Sequence, residues 1–177
     1  PGVLLDIVPV MYADGREEVV WGWLRSLYQQ ETPNLDTEDC LISEMMRASI
    51  KNGNLSDAAQ QLVQASHYRY QSRRVSVIMG RTHSNQQYRP LLSSWKRISS
   101  AILSRRTSHS ISASNFDHLL RYAIPFSYHR VITRPFLELY HPTNPSAEAL
   151  YVALRTPAFF TKWNTWHSKH RILHKTF

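Results

Sequence analysis

The residues with the most evident chemistry are arginines and aromatic side chains that alternate in the second half of the chain. The segment from Arg69 to Arg74 contains three arginines and Tyr70. Guanidinium groups pair with phosphates and aromatic rings stack on bases, so this mixture is typical of a surface that binds RNA. A solvated helix end, whose cations complement the helix dipole, would show the same composition, and the sequence leaves both interpretations open.

The same pattern continues to the end of the sequence. The last segment is typical of a basic helix that lies on RNA, on an anionic membrane surface or in the groove of a partner protein, although its tryptophans could also belong to a core. The residues that we predict to contact RNA are Arg69, Tyr70, Arg73, Arg74, Arg81, Lys96, Arg97, Arg105, Arg106, Lys162, Trp163, Lys169 and Arg171.

The net charge of +8 is unevenly distributed along the chain. Residues 1–66 contain ten acidic and four basic residues, a net charge of −6, whereas residues 67–177 contain three acidic and seventeen basic residues, a net charge of +14. This asymmetry predicts that the basic part contacts a polyanion, with RNA favoured, and that the acidic part contacts neighbouring proteins. A basic surface that only keeps the protein soluble is the alternative.

Motifs for catalysis are missing from the sequence. It has five glycines without a phosphate-binding cluster, no Gly-x-Ser-x-Gly and no zinc quartet. His167, His170 and His174 are spaced to share a helix face, but no carboxylate or cysteine accompanies them, so we interpret them as neighbours of phosphates rather than metal ligands. We therefore expect no enzymatic activity, no cofactor and no metal.

Cys40 is the only cysteine. The chain therefore forms no internal disulfide, and a reducing compartment is expected. Because Cys40 adjoins the apolar stripe of a helix and no base accompanies it, we predict a buried and inert thiol.

The first third of the sequence predicts the paired helices that would position these residues. Gly53 suits the left-handed conformation that ends a helix, and Asn54 or Ser56 can cap the helix that follows. Apolar residues recur at helical spacing on both sides of this turn: Leu41, Ile42, Met45, Met46 and Ile50 before it, and Leu55, Ala58, Ala59, Leu62 and Val63 after it. Gly15 marks a similar turn 38 residues earlier, a period typical of helical solenoids.

The stretch from Cys40 to Val63 resembles the pentatricopeptide repeat family. The family joins two helices through a Lys-x-Gly turn and opens the second helix with an acidic-Ala pair followed by Leu. The turn matches Lys51 to Gly53, and the opening matches Ser56 to Ala58. The position that helps to select an RNA base in the family, usually Asn, Thr or Ser, falls on Glu44 and, in the upstream unit, on Asp6. The resemblance implies a helical solenoid in an organelle, most often the mitochondrion.

The Arg-rich, acid-poor second half is similar to accessory proteins of mitochondrial ribosomes, which hold rRNA with basic extensions. The first expectation is therefore a structural RNA-binding protein of a mitochondrial ribonucleoprotein in the matrix, with rRNA as its partner. One alternative is a mitochondrial RNA-maturation or translation factor of the pentatricopeptide type. The other is a helical-repeat scaffold that binds proteins and no RNA.

Together these patterns predict an all-α protein of four segments. Residues 1–70 would form two helical hairpin repeats, 71–106 a basic helical segment, 107–114 a Ser/Thr-rich linker, and 115–177 a basic, aromatic, helical part. The short apolar run from Val75 to Met79 is predicted to open a third repeat, although a strand is the alternative. The helix that follows Asn144 and Pro145 is apolar on most sides, so we expect it to be buried.

No run of residues approaches the roughly 18 apolar residues of a membrane span, so we predict no transmembrane segment. Because the sequence begins at Pro1 rather than Met, we expect a processed or partial chain.

Overall fold

The computed structural model describes residues 2–30, 34–78, 91–105, 108–124, 127–157 and 159–161. Every regular element in these ranges is a helix, which confirms the predicted all-α class. The helices are α1 (Gly2–Ala13), α2 (Glu17–Gln29), α3 (Leu35–Lys51), α4 (Leu55–Ile78), α5 (Leu92–Arg105), α6 (Ala113–Tyr122), α7 (Ser127–Val131), α8 (Thr133–Glu138) and α9 (Glu148–Leu154).

The chain divides into two compact units, residues 1–101 and 102–177, so the boundary falls within α5. The finer boundaries that the sequence suggested, after residues 70, 106 and 114, stay predictions.

The turn between α3 and α4 forms as its residue types predict. Gly53 has a φ of 84°, and Asn54 N–H donates to the Ser49 carbonyl at 2.9 Å, which satisfies the end of α3. The Asn54 side chain then caps α4 by accepting the Asp57 N–H at 3.1 Å. The same backbone pattern follows α1 at Gly15, whose φ is 67°. Both α1 and α3 therefore end through a glycine at positive φ, although no side chain caps the start of α2.

The first unit packs around α3, which contacts both α1 and α4, while α2 contacts α4. The buried apolar side chains of these four helices are Val8, Val20, Trp21, Leu24, Leu41, Ile42, Met45, Met46, Leu55, Ala58, Ala59, Leu62 and Ala65. Two hairpins thus lie side by side over a common core. A solenoid of further repeats stays a prediction.

The prediction that Val75 opens a third repeat or a strand is wrong. Residues 75–78 complete α4, which runs without interruption from Leu55 to Ile78. The physical reason is the absence of any glycine or proline between Leu55 and Ile78, so nothing in that stretch stops the helix. Met79, and the loop predicted from Gly80 to Pro90, lie outside the described residues.

The prediction of a buried thiol is also wrong, because Cys40 is exposed. Its neighbours Leu41 and Ile42 are both buried in the core. Successive residues of a helix point about 100° apart, and this rotation places Cys40 beside the apolar stripe on the solvent side.

In the second unit, α8 contacts α6, α7 and α9. The Ser112 side chain caps α6 by accepting the Asn115 N–H at 3.2 Å, and α6 buries three apolar residues, Phe116, Leu119 and Leu120. A second cluster consists of Ile132, Ala153 and Phe159, with Val131, Phe136 and Leu150 packed against it. These contacts fix α8 and α9 to each other.

Two residues of the predicted Ser/Thr-rich linker are buried. Ser108 and Ile111 are each 2% exposed, and the Ser108 hydroxyl donates to the Tyr140 carbonyl. Residues 108–112 therefore pack within the second unit and lead directly into α6.

The expectation of a buried helix near residue 150 is wrong. The helix begins at Glu148 rather than near Pro145, and Ala153 is its only fully packed residue. Three of its large apolar side chains are exposed: Tyr151, Val152 and Leu154. Helix α9 has seven residues, and the described residues of the cluster pack on the side that holds Leu150 and Ala153. Among the described helices, none combines the length and the apolar character that crossing a membrane requires.

Candidate nucleic-acid interface

The structure describes five of the thirteen side chains that we predicted to contact RNA. They are Arg69, Tyr70, Lys96, Arg97 and Arg105. Arg73 and Arg74 lie on α4, but their side chains are outside the described part. The others lie outside the described residues altogether: Arg81, Arg106, Lys162, Trp163, Lys169 and Arg171.

Arg69 belongs to a buried ion pair. Its Nη2 atom lies 2.5 Å, and its Nε atom 3.0 Å, from Oε2 of Glu38, and the Tyr28 hydroxyl donates to the other carboxylate oxygen. The Arg69 side chain is 11% exposed and that of Glu38 is 0% exposed. This contact joins α2, α3 and α4, so Arg69 holds the helices together from inside.

Burial dominates the electrostatics of this pair. Removal from water raises the pKa of the Glu38 carboxyl, while the Arg69 guanidinium and the Tyr28 hydroxyl act in the opposite direction. A charge buried at this depth depends on its partner, because an unpaired buried charge is costly. Arg69 therefore stays paired with Glu38 in the folded chain.

Arg97 is also held by α3. Its Nε donates to the Ser43 hydroxyl at 2.8 Å, and its Nη2 lies 3.7 Å from Glu44. Glu44 also accepts from Arg47, at 2.5 Å. Glu44 occupies the base-selecting position of the pentatricopeptide resemblance, and in the folded chain its carboxylate joins two arginines. Asp6, the equivalent position upstream, is exposed.

The start of α5 is docked on α3 through Asp39. This carboxylate accepts the backbone N–H groups of Ser93 and Ser94, at 3.2 and 3.3 Å, and the Ser94 hydroxyl at 2.8 Å. Orphan N–H groups at a helix start are commonly satisfied in this way. The docking orients α5 with Trp95 in the core and Lys96 exposed.

The predicted residues differ in how exposed they are. Arg69 and Arg97 are held against α3 by carboxylates. Lys96, Arg105 and Tyr70 are exposed, and the exposed fraction of Tyr70 is 63%.

Four arginines of the second unit were missing from the prediction. Arg134 pairs with Glu138 at 2.8 Å, and Arg155 lies over the ring of Tyr151. Arg121 and Arg130 are exposed, and among the described residues neither forms a salt bridge. No signal in the sequence marked Arg121 and Arg130 as exposed cations, but the spacing of four residues between Tyr151 and Arg155 was a readable signal.

The second unit also contains an Asp–His pair, an arrangement that can act as a general base. Nε2 of His141 lies 3.3 Å from Asp117 Oδ1, and the His141 ring packs edge-on against Phe116. However, Nδ1 of His141 accepts the Asn144 N–H at 3.0 Å and the Thr143 N–H at 3.3 Å. Both ring nitrogens of His141 are engaged, so the pair fixes the turn after Tyr140 and leaves this histidine no free nitrogen to accept a proton from a substrate.

Within the described ranges no group of three or more His, Cys, Asp or Glu side chains is arranged to hold a metal ion. The chain matches no protein-family model, no curated protein and no solved structure. The arguments about function therefore rest on the charges and contacts given above.

Proposed function

We propose that this chain is a structural RNA-binding protein of a mitochondrial ribonucleoprotein, with rRNA of the mitochondrial ribosome as its first candidate partner. It would bind through phosphate contacts made mainly by its second unit. The acidic hairpins at the start of the chain would contact neighbouring proteins. The mitochondrial setting rests on the resemblance of Cys40 to Val63 to pentatricopeptide repeats.

The observation that carries the proposal is the charge of the second unit. Residues 102–177 contain ten basic and three acidic residues, a net charge of +7, whereas residues 1–101 contain eleven basic and ten acidic residues, a net charge of +1. Two of the three acids of the second unit are already engaged, Glu138 with Arg134 and Asp117 with His141. The remaining cations have few internal carboxylates to pair with, which favours an external polyanion.

Most described arginines of the first unit form salt bridges within that unit. Four of its five described arginine side chains pair with carboxylates of the same unit, Arg25 with Glu18, Arg47 and Arg97 with Glu44, and Arg69 with Glu38, while Arg16 is exposed. We therefore assign the RNA contacts of the described part mainly to the exposed cations Arg121 and Arg130 of the second unit, with Lys96 as an exposed cation of the first.

The salt dependence of RNA binding tests this proposal. Each neutralised phosphate contributes about 0.9 to the slope of log K against log salt for a duplex and about 0.7 for a single strand. We expect fluorescence anisotropy with labelled RNA to give a slope of about 3 or more, and similar affinities for RNAs of unrelated sequence. Failure to bind RNA at low salt would reject the proposal.

Co-purification from mitochondria, followed by RNA sequencing, tests the partner. Enrichment of rRNA is the expected result. Enrichment of one messenger RNA would favour the transcript-specific factor, and enrichment of proteins alone would favour the scaffold. Either of these two outcomes would contradict assignment to the ribosome.

A further inference from the structure

Helix α9 presents an exposed aromatic ring that is covered on one side by a guanidinium. The Tyr151 side chain is 55% exposed, and Cζ of Arg155 lies 4.2 Å from the centroid of its ring. Val152 and Leu154 beside it are 56% and 45% exposed. Among the described residues, no carboxylate forms a salt bridge with Arg155.

The inner side of the same helix is firmly held. Ala153 is buried in the cluster with Ile132 and Phe159, and Leu150 packs against that cluster. The Ala153 carbonyl accepts both the N–H of Thr156, at 3.0 Å, and its hydroxyl, at 2.7 Å. The outward position of Tyr151 and Arg155 is therefore set by packing on the opposite face of α9.

We propose that Tyr151 and Arg155 form a stacking platform for an unpaired base of RNA. The proposal rests on the proposed RNA-binding function and gives it a single-strand contact. A guanidinium on a tyrosine ring is a planar, cationic surface, and its outer face can stack on a base while its N–H groups reach a phosphate. The exposed side chain of Leu154, three residues after Tyr151 on the helix, would add apolar contact beside the base.

Charge favours RNA over a protein as the occupant of this surface. An exposed apolar patch alone would also suit a protein partner. Here, however, the ring is capped by a cation in a unit of net charge +7. Base stacking by aromatic and arginine side chains is the common mode by which proteins hold single-stranded nucleic acid.

The test compares single-stranded and duplex RNA of equal length, in anisotropy titrations with the full chain. Tyr151→Ala is expected to weaken binding of the single strand by roughly fivefold to a hundredfold, the range for loss of one stacked base, and to leave duplex binding unchanged. Tyr151→Phe keeps the ring and should bind as the wild type does. Val152→Ala is the matched control, because it removes an exposed side chain of the same helix without touching the ring.

Arg155→Lys separates stacking from charge. It keeps one positive charge but loses the planar group, so we expect weaker single-strand binding with an unchanged salt slope. Ultraviolet crosslinking of bound single-stranded RNA, followed by mass spectrometry, should place a crosslink on the peptide that contains Tyr151.

The outcomes distinguish the two proposals. If the wild type binds neither RNA, the proposed function itself fails. If the wild type binds RNA and Tyr151→Ala binds the single strand equally well, the platform is rejected while phosphate binding stands. Circular dichroism of each variant checks that the helices are intact.

Discussion

The two units contain similar numbers of basic residues, eleven and ten, but different numbers of acidic residues, ten and three. In the first unit, each of the described carboxylates Glu38 and Glu44 holds at least one arginine that lies far away in sequence. In the second unit, the described salt bridge of an arginine is the local one between Arg134 and Glu138, while Arg121 and Arg130 are exposed.

The number of arginines in a unit therefore does not show whether they pair within the fold or remain exposed. In the acid-rich first unit, Arg69 and Arg97 join helices through carboxylates, and Arg25 and Arg47 pair with carboxylates of their own helices. In an acid-poor unit, the same residue type stays available to a partner. The predictions below test whether the first unit depends on its internal pairs and whether the second unit uses its exposed charges.

The largest effect is expected from breaking the pair between Glu38 and Arg69. Glu38→Ala leaves the Arg69 guanidinium buried without its partner, which typically costs about 3–5 kcal/mol of unfolding free energy. Urea denaturation followed by circular dichroism measures this loss. A double variant, Glu38→Leu with Arg69→Met, removes both charges and should recover most of the stability. A loss below about 1 kcal/mol in the single variant would show that the first unit does not depend on this pair.

A smaller effect is expected at the turn that brings α3 and α4 together. Gly53 has a φ of 84°, and a Cβ there would meet no neighbouring atom, so the cost of Gly53→Ala is that of the left-handed backbone, about 1–2 kcal/mol. Gly22 lies inside α2 and also has free space around it. Gly22→Ala should therefore stabilise the chain by about 0.5–1 kcal/mol. If Gly53→Ala and Gly22→Ala changed the unfolding free energy in the same direction, this account of the turn would be contradicted.

The dependence of stability on pH gives a further test of the buried pair. Burial raises the pKa of Glu38 above its ordinary value of 4.5, so the folded chain keeps this proton to a higher pH than the unfolded chain does. The contribution of Glu38 is therefore complete below the ordinary pKa and is lost as the pH rises through the raised value.

The matched comparison is Glu38→Gln, which does not titrate. We expect the unfolding free energy of the wild type, minus that of Glu38→Gln, to fall as the pH rises from about 4.5 toward neutrality. Urea titrations at a series of pH values give this difference. A constant or rising difference would mean that Arg69 outweighs the effect of burial.

The helices and the Gly53 turn could be predicted from the sequence because their signals are local. A glycine that can adopt positive φ, a capping Asn54 and apolar residues at helical spacing all lie within one hairpin. The prediction for the end of α4 was wrong because the apolar run at Val75 was given more weight than the absence of a helix-stopping residue before it.

The candidate site was harder to predict because it depends on contacts between distant residues. Glu38 and Arg69 are 31 residues apart, and no pattern within either helix reveals that they meet. The exposure of Tyr151 depends in the same way on which side of α9 is covered by the cluster around Ile132. Composition located the basic part of the chain, but it could not separate cations that are paired from those that are exposed.

The central claim is that exposed cations of the second unit, rather than paired cations of the first, neutralise RNA phosphates. Two double variants that remove the same charge test it most directly: Arg121→Gln with Arg130→Gln, and Arg47→Gln with Arg97→Gln. The measurement is the slope of log K against log salt for binding to one RNA. We predict a slope reduced by up to about 2 for the first variant and an unchanged slope for the second. A reduced slope for the second variant alone, or equal slopes for the wild type and the first variant, would contradict the account.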